Sequence, residues 1–347
     1  MATETSASDA APPSGATAAP PALEVRNLTV SVRLRRGGRA TVVDDVSFSV
    51  PAGGTLGLVG ESGSGKTMTS LAIMGLLPPA ARVEAGQILL EGEDLLAKSQ
   101  RELRRIRGKR IAMVMQDPMT ALDPCFTIRS QLAEPLVQHR GLRGDDLDTA
   151  LVTSLEQVHL SGAKERLRQH PHQLSGGMRQ RVTSAIALAG QPRVLIADEP
   201  TTALDVTTQA RYLHLLRELQ ETTGVALLLV AHDLLVVRHV CERVVVMYSS
   251  QVVEDGPGEQ VFSAPEHPYT RALLRAIPTL HDDTIRLESI EGQAPDITEI
   301  LTGCRFAPRC PSARDVCRHG RLELTGRPDD VHRARCLGTE TDGWIER

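Results

Sequence analysis

Residues 55–67 read Thr-Leu-Gly-Leu-Val-Gly-Glu-Ser-Gly-Ser-Gly-Lys-Thr, a short apolar run that passes straight into a glycine-rich octapeptide. The run at 55–59 predicts a buried strand, and the spacing over 66–77 predicts a helix stopped by Pro78 and Pro79. A loop of the composition Gly60-Glu61-Ser62-Gly63-Ser64-Gly65 between strand and helix suits phosphate. Its glycines let successive backbone N–H groups curl around the oxygens, and the helix start adds a favourable dipole. Lys66 is placed to reach the β- and γ-oxygens, and the Thr67 hydroxyl to ligate magnesium. Taken alone, the octapeptide also reads as a plain glycine-rich turn before a helix.

Working outward, strands and helices alternate. Alternating apolar positions predict strands at 23–34 and 40–50, with residues 35–39 as the turn between them. Further strands are expected at 86–90, 110–115, 194–197, 225–230 and 243–247, and helices at 100–107, 207–222 and 234–241, with a mostly helical stretch over 128–190. That layout is α/β with a largely parallel sheet and a helical insertion. At 194–199 the chain reads Val-Leu-Ile-Ala-Asp-Glu, a buried strand ending in two carboxylates. Asp198 is the candidate magnesium holder, and Glu199 the candidate to polarise an attacking water. Tandem acids before Pro200-Thr201-Thr202 also suit a helix cap, a reading that the phosphate loop in the same chain disfavours.

A third element lies between these two. Leu174-Ser175-Gly176-Gly177-Met178-Arg179-Gln180 opens a helix and offers another anion site with an exposed hydroxyl. With it the chain resembles the ATP-binding cassette (ABC) family, of which this heptapeptide is the signature. The remaining family motifs follow in order: Gln116 ends a strand as the Q-loop, Ala203-Leu204-Asp205 is the D-loop, and His232 is the switch histidine. The resemblance implies a phosphate-loop nucleotide-binding domain with a RecA-like core, a β-subdomain and a helical subdomain at about 117–190. It also implies ATP and Mg2+ as ligands, with Gln116 among the magnesium contacts, and two cassettes packed head to tail. ATP on residues 60–67 of one chain is then capped by Ser175, Gly176 and Gly177 of the other, with Asp205 at the junction. Such a chain is an ATPase, with Glu199, His232 and Gln116 as its catalytic residues.

One position departs from the family pattern. The family commonly stacks adenine on an aromatic residue ahead of the phosphate loop, yet between Leu23 and Gly60 the only aromatic is Phe48. An arginine among residues 33–39, or an aliphatic such as Val42, is left to face the base.

Composition bounds the rest. The 347 residues carry a net charge of −4, which argues against a generic nucleic-acid binder. Only four of the 39 basic residues are lysines, a bias we assign to genome composition. No run reaches the roughly 18 apolar residues that span a bilayer. The N-terminus lacks the pattern of a secretory signal, so the cysteines read first as thiols or metal ligands. Residues 1–22 are almost all Ala, Pro, Ser, Thr and Gly and are expected to be a disordered tail, followed by the nucleotide-binding domain at 23–262 and a C-terminal module at 263–347. Cys125 and Cys241 are expected to be packed thiols.

Three further stretches resemble the oligopeptide/dipeptide importer branch of the family: residues 115–124 (Met-Gln-Asp-Pro-Met-Thr-Ala-Leu-Asp-Pro), 170–173 (His-Pro-His-Gln) and 265–271 (Pro-Glu-His-Pro-Tyr-Thr-Arg). The branch implies peptide import at the cytoplasmic face of the cell membrane. Its implied partners are a second, homologous ATPase in a heterodimer, two permease subunits that dock on residues 117–140, and an extracytoplasmic binding protein. Another cargo (nickel, a sugar or a glycopeptide) and a soluble cassette acting on nucleic acid or ribosomes are the alternatives. In the tail, Cys304, Cys310, Cys317 and Cys336 are spaced unlike common zinc modules, and spacing alone names no metal. The stretch 303–311 resembles the motif in which four cysteines of these importers hold a 4Fe–4S cluster, with zinc as the alternative. Eight arginines against four acids between Cys304 and Cys336 suit the negative charge of four thiolates.

Overall fold

The computed structural model describes residues 20–35, 37–202, 204–277, 290–299, 302–326 and 331–339. Most of the expected N-terminal tail and Ala203 of the D-loop lie outside the described residues. The chain runs β1 (Leu23–Arg33), β2 (Arg39–Val50), β3 (Thr55–Val59), α1 (Lys66–Met74), β4 (Ala81–Leu90), β5 (Glu93–Asp94), α2 (Gln100–Ile106) and β6 (Ile111–Val114). Four helices follow: α3 (Pro118–Ala121), α4 (Ile128–Arg140), α5 (Gly144–Gln157) and α6 (Ala163–Leu167). Then come a 3-10 turn (Pro171–Gln173), α7 (Gly176–Leu188), β7 (Val194–Asp198), α8 (Val206–Thr223), β8 (Ala226–Ala231), α9 (Leu234–Arg238) and β9 (Arg243–Tyr248). The described C-terminal part holds β10 (Gln251–Pro257), α10 (Gly258–Ser263), α11 (Pro268–Arg275), two 3-10 turns (Ala307–Arg309 and Asp315–Arg318), β11 (Arg333–Ala334) and a last 3-10 turn (Leu337–Thr339).

The strands form two sheets. One is antiparallel, in the order β2-β1-β4-β5; the other has the order β11-β10-β9-β3-β8-β7-β6. In the second sheet β9, β3, β8, β7 and β6 are mutually parallel, and β10 and β11 add antiparallel at one edge. Its central strands are buried on both faces, as expected of a parallel sheet, and successive side chains feed two cores. Leu56, Leu58, Ile196, Leu228 and Val230 pack with α1 and the antiparallel sheet. Val59, Leu195, Ala197, Leu227 and Leu229 face the opposite core, built with α4, α5, α7 and α8.

The structure departs from sequence expectation at several places. Helix α1 ends at Met74 because Gly75 takes a left-handed φ of 63° and its N–H bonds back into the last turn, so the stop precedes the prolines. Strand β4 starts five residues earlier than its apolar run, because β1 pairs with it as far as Val32 opposite Ala81. Strands β10 and β11 were not expected, and through them the C-terminal region joins the main sheet. Tyr269 and Phe306 of that region lie in the same hydrophobic cluster as the sheet. Cys241 is buried as expected, whereas Cys125 is exposed, in the loop leading into α4.

Helix α9 lies so close over β3 that a Cβ on Gly57 would stand 2.0 Å from Val237 Cγ1. Gly57→Ala is therefore expected to overpack the central strand and cost about 1–3 kcal/mol of unfolding free energy. Urea unfolding checks this, and a loss below about 0.5 kcal/mol, the range of a surface substitution, contradicts so tight a contact.

Candidate functional site

Parallel strands deliver their following residues to one edge of the sheet. Val59 pairs with Ala231, Asp198 with Val230 and Val114 with Ala197, so the loops after β3, β8, β7 and β6 leave side by side. That edge carries Gly60, His232, Glu199 and Gln116.

After β3 the loop turns into α1 with Gly65 at a left-handed φ of 102°, where a Cβ would meet the Val42 carbonyl oxygen at 2.4 Å. Glycine satisfies both conditions. The Lys66 ammonium donates to the carbonyls of Gly60 (2.8 Å) and Glu61 (3.0 Å). Burial pulls its pKa below the ordinary value, and the carboxylates of Glu199, Asp198 and Glu61 pull the other way. Thr67 Oγ1 donates to Asp198 Oδ1 at 3.4 Å. Burial raises the Asp198 pKa to about 6, against the Thr67 hydrogen bond. A buried carboxylate beside a hydroxyl is the donor set of a hard divalent cation, so Thr67 and Asp198 fit magnesium. The ion would supply charge neutralisation to the phosphates.

Glu199 collects the other chemistry-bearing groups. Its Oε2 accepts from Gln116 Nε2 at 2.9 Å and from Thr202 Oγ1 at 3.1 Å, and lies 3.3 Å from His232 Nδ1. Its backbone has φ 44°, a left-handed conformation uncommon outside glycine and asparagine and of the kind that clusters at functional sites. Ser62, Gly63, Gly65, Lys66 and Thr67 line a cavity of about 530 Å3 together with Gln116, Glu199 and His232. The structure thus brings the sequence-predicted phosphate and catalytic groups into one place. Val42, the aliphatic candidate for the base, also lines this cavity, whereas Phe48 is buried in the antiparallel sheet.

Ser175, Gly176, Gly177 and Asp205 do not line that cavity. Ser175 caps α7 by accepting from the Met178 N–H at 3.3 Å, and Asp205 caps α8 by accepting from the N–H and the hydroxyl of Thr208. The two helix starts touch, since a Cβ on Gly177 would lie 2.7 Å from Thr208 Cγ2.

The back of the phosphate loop is held by residues that sequence reasoning missed. Tyr269 Oη accepts from the Glu61 N–H at 2.9 Å. Arg309 Nη1 donates to Glu61 Oε2 at 2.9 Å and to Tyr248 Oη at 3.2 Å. Phe306 packs edge-on to Tyr248, with centroids 5.2 Å apart, and against Tyr269 at 5.4 Å. The stretches 268–271 and 303–311, which hold Tyr269, Phe306 and Arg309, were noticed in the sequence without this role.

Cys304, Cys310, Cys317 and Cys336 line one cavity with His267. Burial raises the pKa of Cys304 and of Cys336 to about 11, and raises that of Cys310. No group of three or more His, Cys, Asp or Glu among the described residues stands in metal-holding geometry. The space among the thiols is about 20 Å3, one or two waters' worth.

Comparison with known proteins gives the family. The ABC transporter family matches residues 43–202, and the C-terminal region of oligopeptide/dipeptide transporters matches residues 253–317. A Brucella abortus protein named for peptide import ATP binding is 47% identical over 297 residues, covering 86% of this chain and 89% of that one. A Brucella ovis protein of the same designation is 45% identical over 91% of this chain and 97% of its own length. This chain belongs to the ABC transporter ATP-binding family. Among solved structures, a dimeric ATP-binding cassette in a post-hydrolysis state with ADP and Pi aligns with TM-score 0.61 at 27% identity, over 68% of this chain and 98% of that one. The cassette cbiO1 of Clostridium perfringens, part of the cbiONQ ABC transporter complex, aligns with TM-score 0.60 at 25% identity, over 70% and 91%.

This ABC ATPase brings residues 60–67, the Thr67–Asp198 pair and Glu199 with Gln116 and His232 together in one chain. Glu199→Gln is expected to keep ATP affinity within about twofold while lowering turnover about a hundredfold or more. Equilibrium nucleotide binding and steady-state phosphate release, measured on the same preparation, check it. Near-normal turnover would remove Glu199 from the role of base.

Proposed function

We propose that this chain is the ATP-hydrolysing subunit of a peptide importer, bound at the cytoplasmic face of the cell membrane. Its partners in this reading are a second, homologous cassette, two permease subunits and an extracytoplasmic peptide-binding protein; nucleic acid is not among them. The observation that carries the reading is the convergence of Gln116, Glu199 and His232 beside the phosphate loop, in a chain whose residues 253–317 match the oligopeptide/dipeptide transporter C-terminal region. The relatives named for peptide import support the cargo.

A second cassette is supported by where the signature lies. Ser175, Gly176 and Gly177 stand outside this chain's own cavity, so a γ-phosphate on Lys66 gains those donors only from another chain. Asp205, at the adjacent helix start, is positioned for the same junction. The permease surface is supported by Met115 and Phe126, two large apolar residues about half exposed on either side of α3. No helix among the described residues is long and apolar enough to cross a membrane.

Within the C-terminal module at 263–347, we read the four thiols as a metal centre, an iron–sulfur cluster by resemblance. One observation on the site favours a ligand there. His267 Nδ1 accepts from the Tyr269 N–H at 3.1 Å, which leaves the proton on Nε2. That Nε2 is buried on the wall of the thiol cavity with no hydrogen-bond partner among the described residues. Burial lowers the His267 pKa to about 4, so the ring is neutral at pH 7 and Nε2–H can only donate, as toward sulfur. The small space among the thiols favours a single zinc ion as the second reading, since a cubane requires the sulfurs to move apart. A cluster would contribute cross-linking of the module; the Cys304, Cys310, Cys317 and Cys336 thiolates would hold it.

Two measurements test the proposal. Gentle extraction from native membranes is expected to yield two permease subunits and a second cassette, with ATPase activity stimulated by peptide-loaded binding protein. Ribosomes or nucleic acid in place of permeases would overturn the transport reading. Anaerobically purified protein is expected to be brown and to contain iron and acid-labile sulfide in equal amounts, both lost in Cys304→Ser. Stoichiometric zinc without sulfide would replace the cluster by the zinc reading.

A further inference from the structure

We propose that the C-terminal region completes the nucleotide site within the same chain. Ile297 makes the apolar contact to the base-and-sugar end of ATP, and Arg309 positions the segment that carries it. The inference rests on the reading of the cavity as an ATP site and deepens it. It starts from a mismatch in the walls of that cavity. The polar lining, from Ser62 to Thr67 on one side and Gln116, Glu199 and His232 on the other, accounts for the triphosphate. What remains for a base and a sugar is Val42, Met68 and Ile297. The one aromatic of β1 and β2, Phe48, is 5% exposed and belongs to the core beneath the antiparallel sheet. A stacking ring from that direction is therefore absent among the described residues.

Ile297 is the one lining residue that comes from beyond His232, and it is 45% exposed at the wall of a polar cavity. An aliphatic side chain so placed gains burial when a flat ring covers it. Its position is tied down locally. Asp296 accepts from the N–H of Thr298 at 2.8 Å and from its hydroxyl at 2.6 Å, and its carbonyl accepts from the Glu299 N–H at 2.9 Å, closing a turn with Ile297 inside it.

The turn is also registered to the phosphate loop through one guanidinium. Arg309 donates from Nε to the Glu291 carbonyl at 3.0 Å and from Nη2 to the Ile290 carbonyl at 3.3 Å, while its Nη1 holds the Glu61 carboxylate. The Arg309 side chain is 6% exposed, so this fork is fixed by packing as well as by hydrogen bonds. Planar, five-donor arginine suits such a three-way junction in a way that lysine does not. Phosphate grip and base contact are thereby set at a fixed spacing.

The test compares two ligands on the full-length chain: MgATP, which has a base, and magnesium tripolyphosphate, which has none. Ile297→Ala is expected to weaken MgATP about three- to tenfold, the scale of losing part of one buried aliphatic side chain, and to leave tripolyphosphate affinity unchanged. Ile297→Asp is expected to weaken MgATP further, again without effect on tripolyphosphate. Arg309→Ala, which also frees Glu61, is expected to weaken both ligands. Unchanged MgATP affinity in both Ile297 variants overturns the base contact while leaving the ATP site intact, and so does a parallel loss of both ligands in them. Unchanged MgATP affinity in Arg309→Ala removes the positioning role. A wild-type chain that binds neither ligand overturns the nucleotide reading itself, and the inference with it.

Discussion

The parallel register of β6, β7, β8 and β3 is the constraint on which the site depends. Because Val114, Ala197, Leu229 and their neighbours run level across the sheet, residues distant in sequence leave it at the same height. Gln116 and Glu199 are separated by 83 positions and still share a hydrogen bond. Sliding any one of these strands by a single residue would turn its side chains to the other core and withdraw its loop from the edge. The two hydrophobic cores enforce the register, since each strand presents one apolar set to the antiparallel sheet and the other to the helical face. Ligand sites at the carboxyl edge of open α/β sheets follow from the same geometry.

Against this rigid edge the phosphate loop is braced from behind. Tyr248, Tyr269 and Phe306, with Arg309 among them, form a buried aromatic wedge between the loop and the thiol-lined cavity. The chain has only eight aromatic residues, and three of them are spent here. Their scarcity elsewhere makes the concentration informative. Edge-on and tilted ring contacts fix orientation as well as area, and the Tyr269 hydroxyl converts that rigidity into a hydrogen bond on the loop backbone. The region beyond residue 263 is thus part of what shapes the nucleotide site, beyond whatever its cysteines hold.

The nucleotide motifs were legible because each combines a local pattern with special residue chemistry. The octapeptide at 60–67 and the acids at the end of β7 could be placed on elements from local pattern, and His232 through the family resemblance; the structure sets them where those elements end. What the sequence concealed depends on long-range pairing. Two-residue β11 has no period to detect, yet it joins the C-terminal region to the sheet. Glu61 carried no signal of its own within the octapeptide, and its partner Arg309 lies 248 residues away. Ile297 sits in a Pro- and Asp-containing stretch with no helical or strand period. The four cysteines shared a cavity that their uneven spacing gave no reason to expect. Cys125 was expected to be packed like Cys241, and the loop before α4 leaves it open to solvent.

The central claim is that one chain supplies the phosphate loop and the water-polarising carboxylate, whereas the signature donors on the same γ-phosphate come from a second cassette. A structure of the assembled transporter carrying Glu199→Gln and trapped with MgATP tests it most directly. The account predicts triphosphate density between Lys66 and the signature serine of the second cassette, with Ser175 of this chain reaching the other nucleotide. Triphosphate held on residues 60–67 with Ser175 facing solvent, and no second chain over it, would contradict the account.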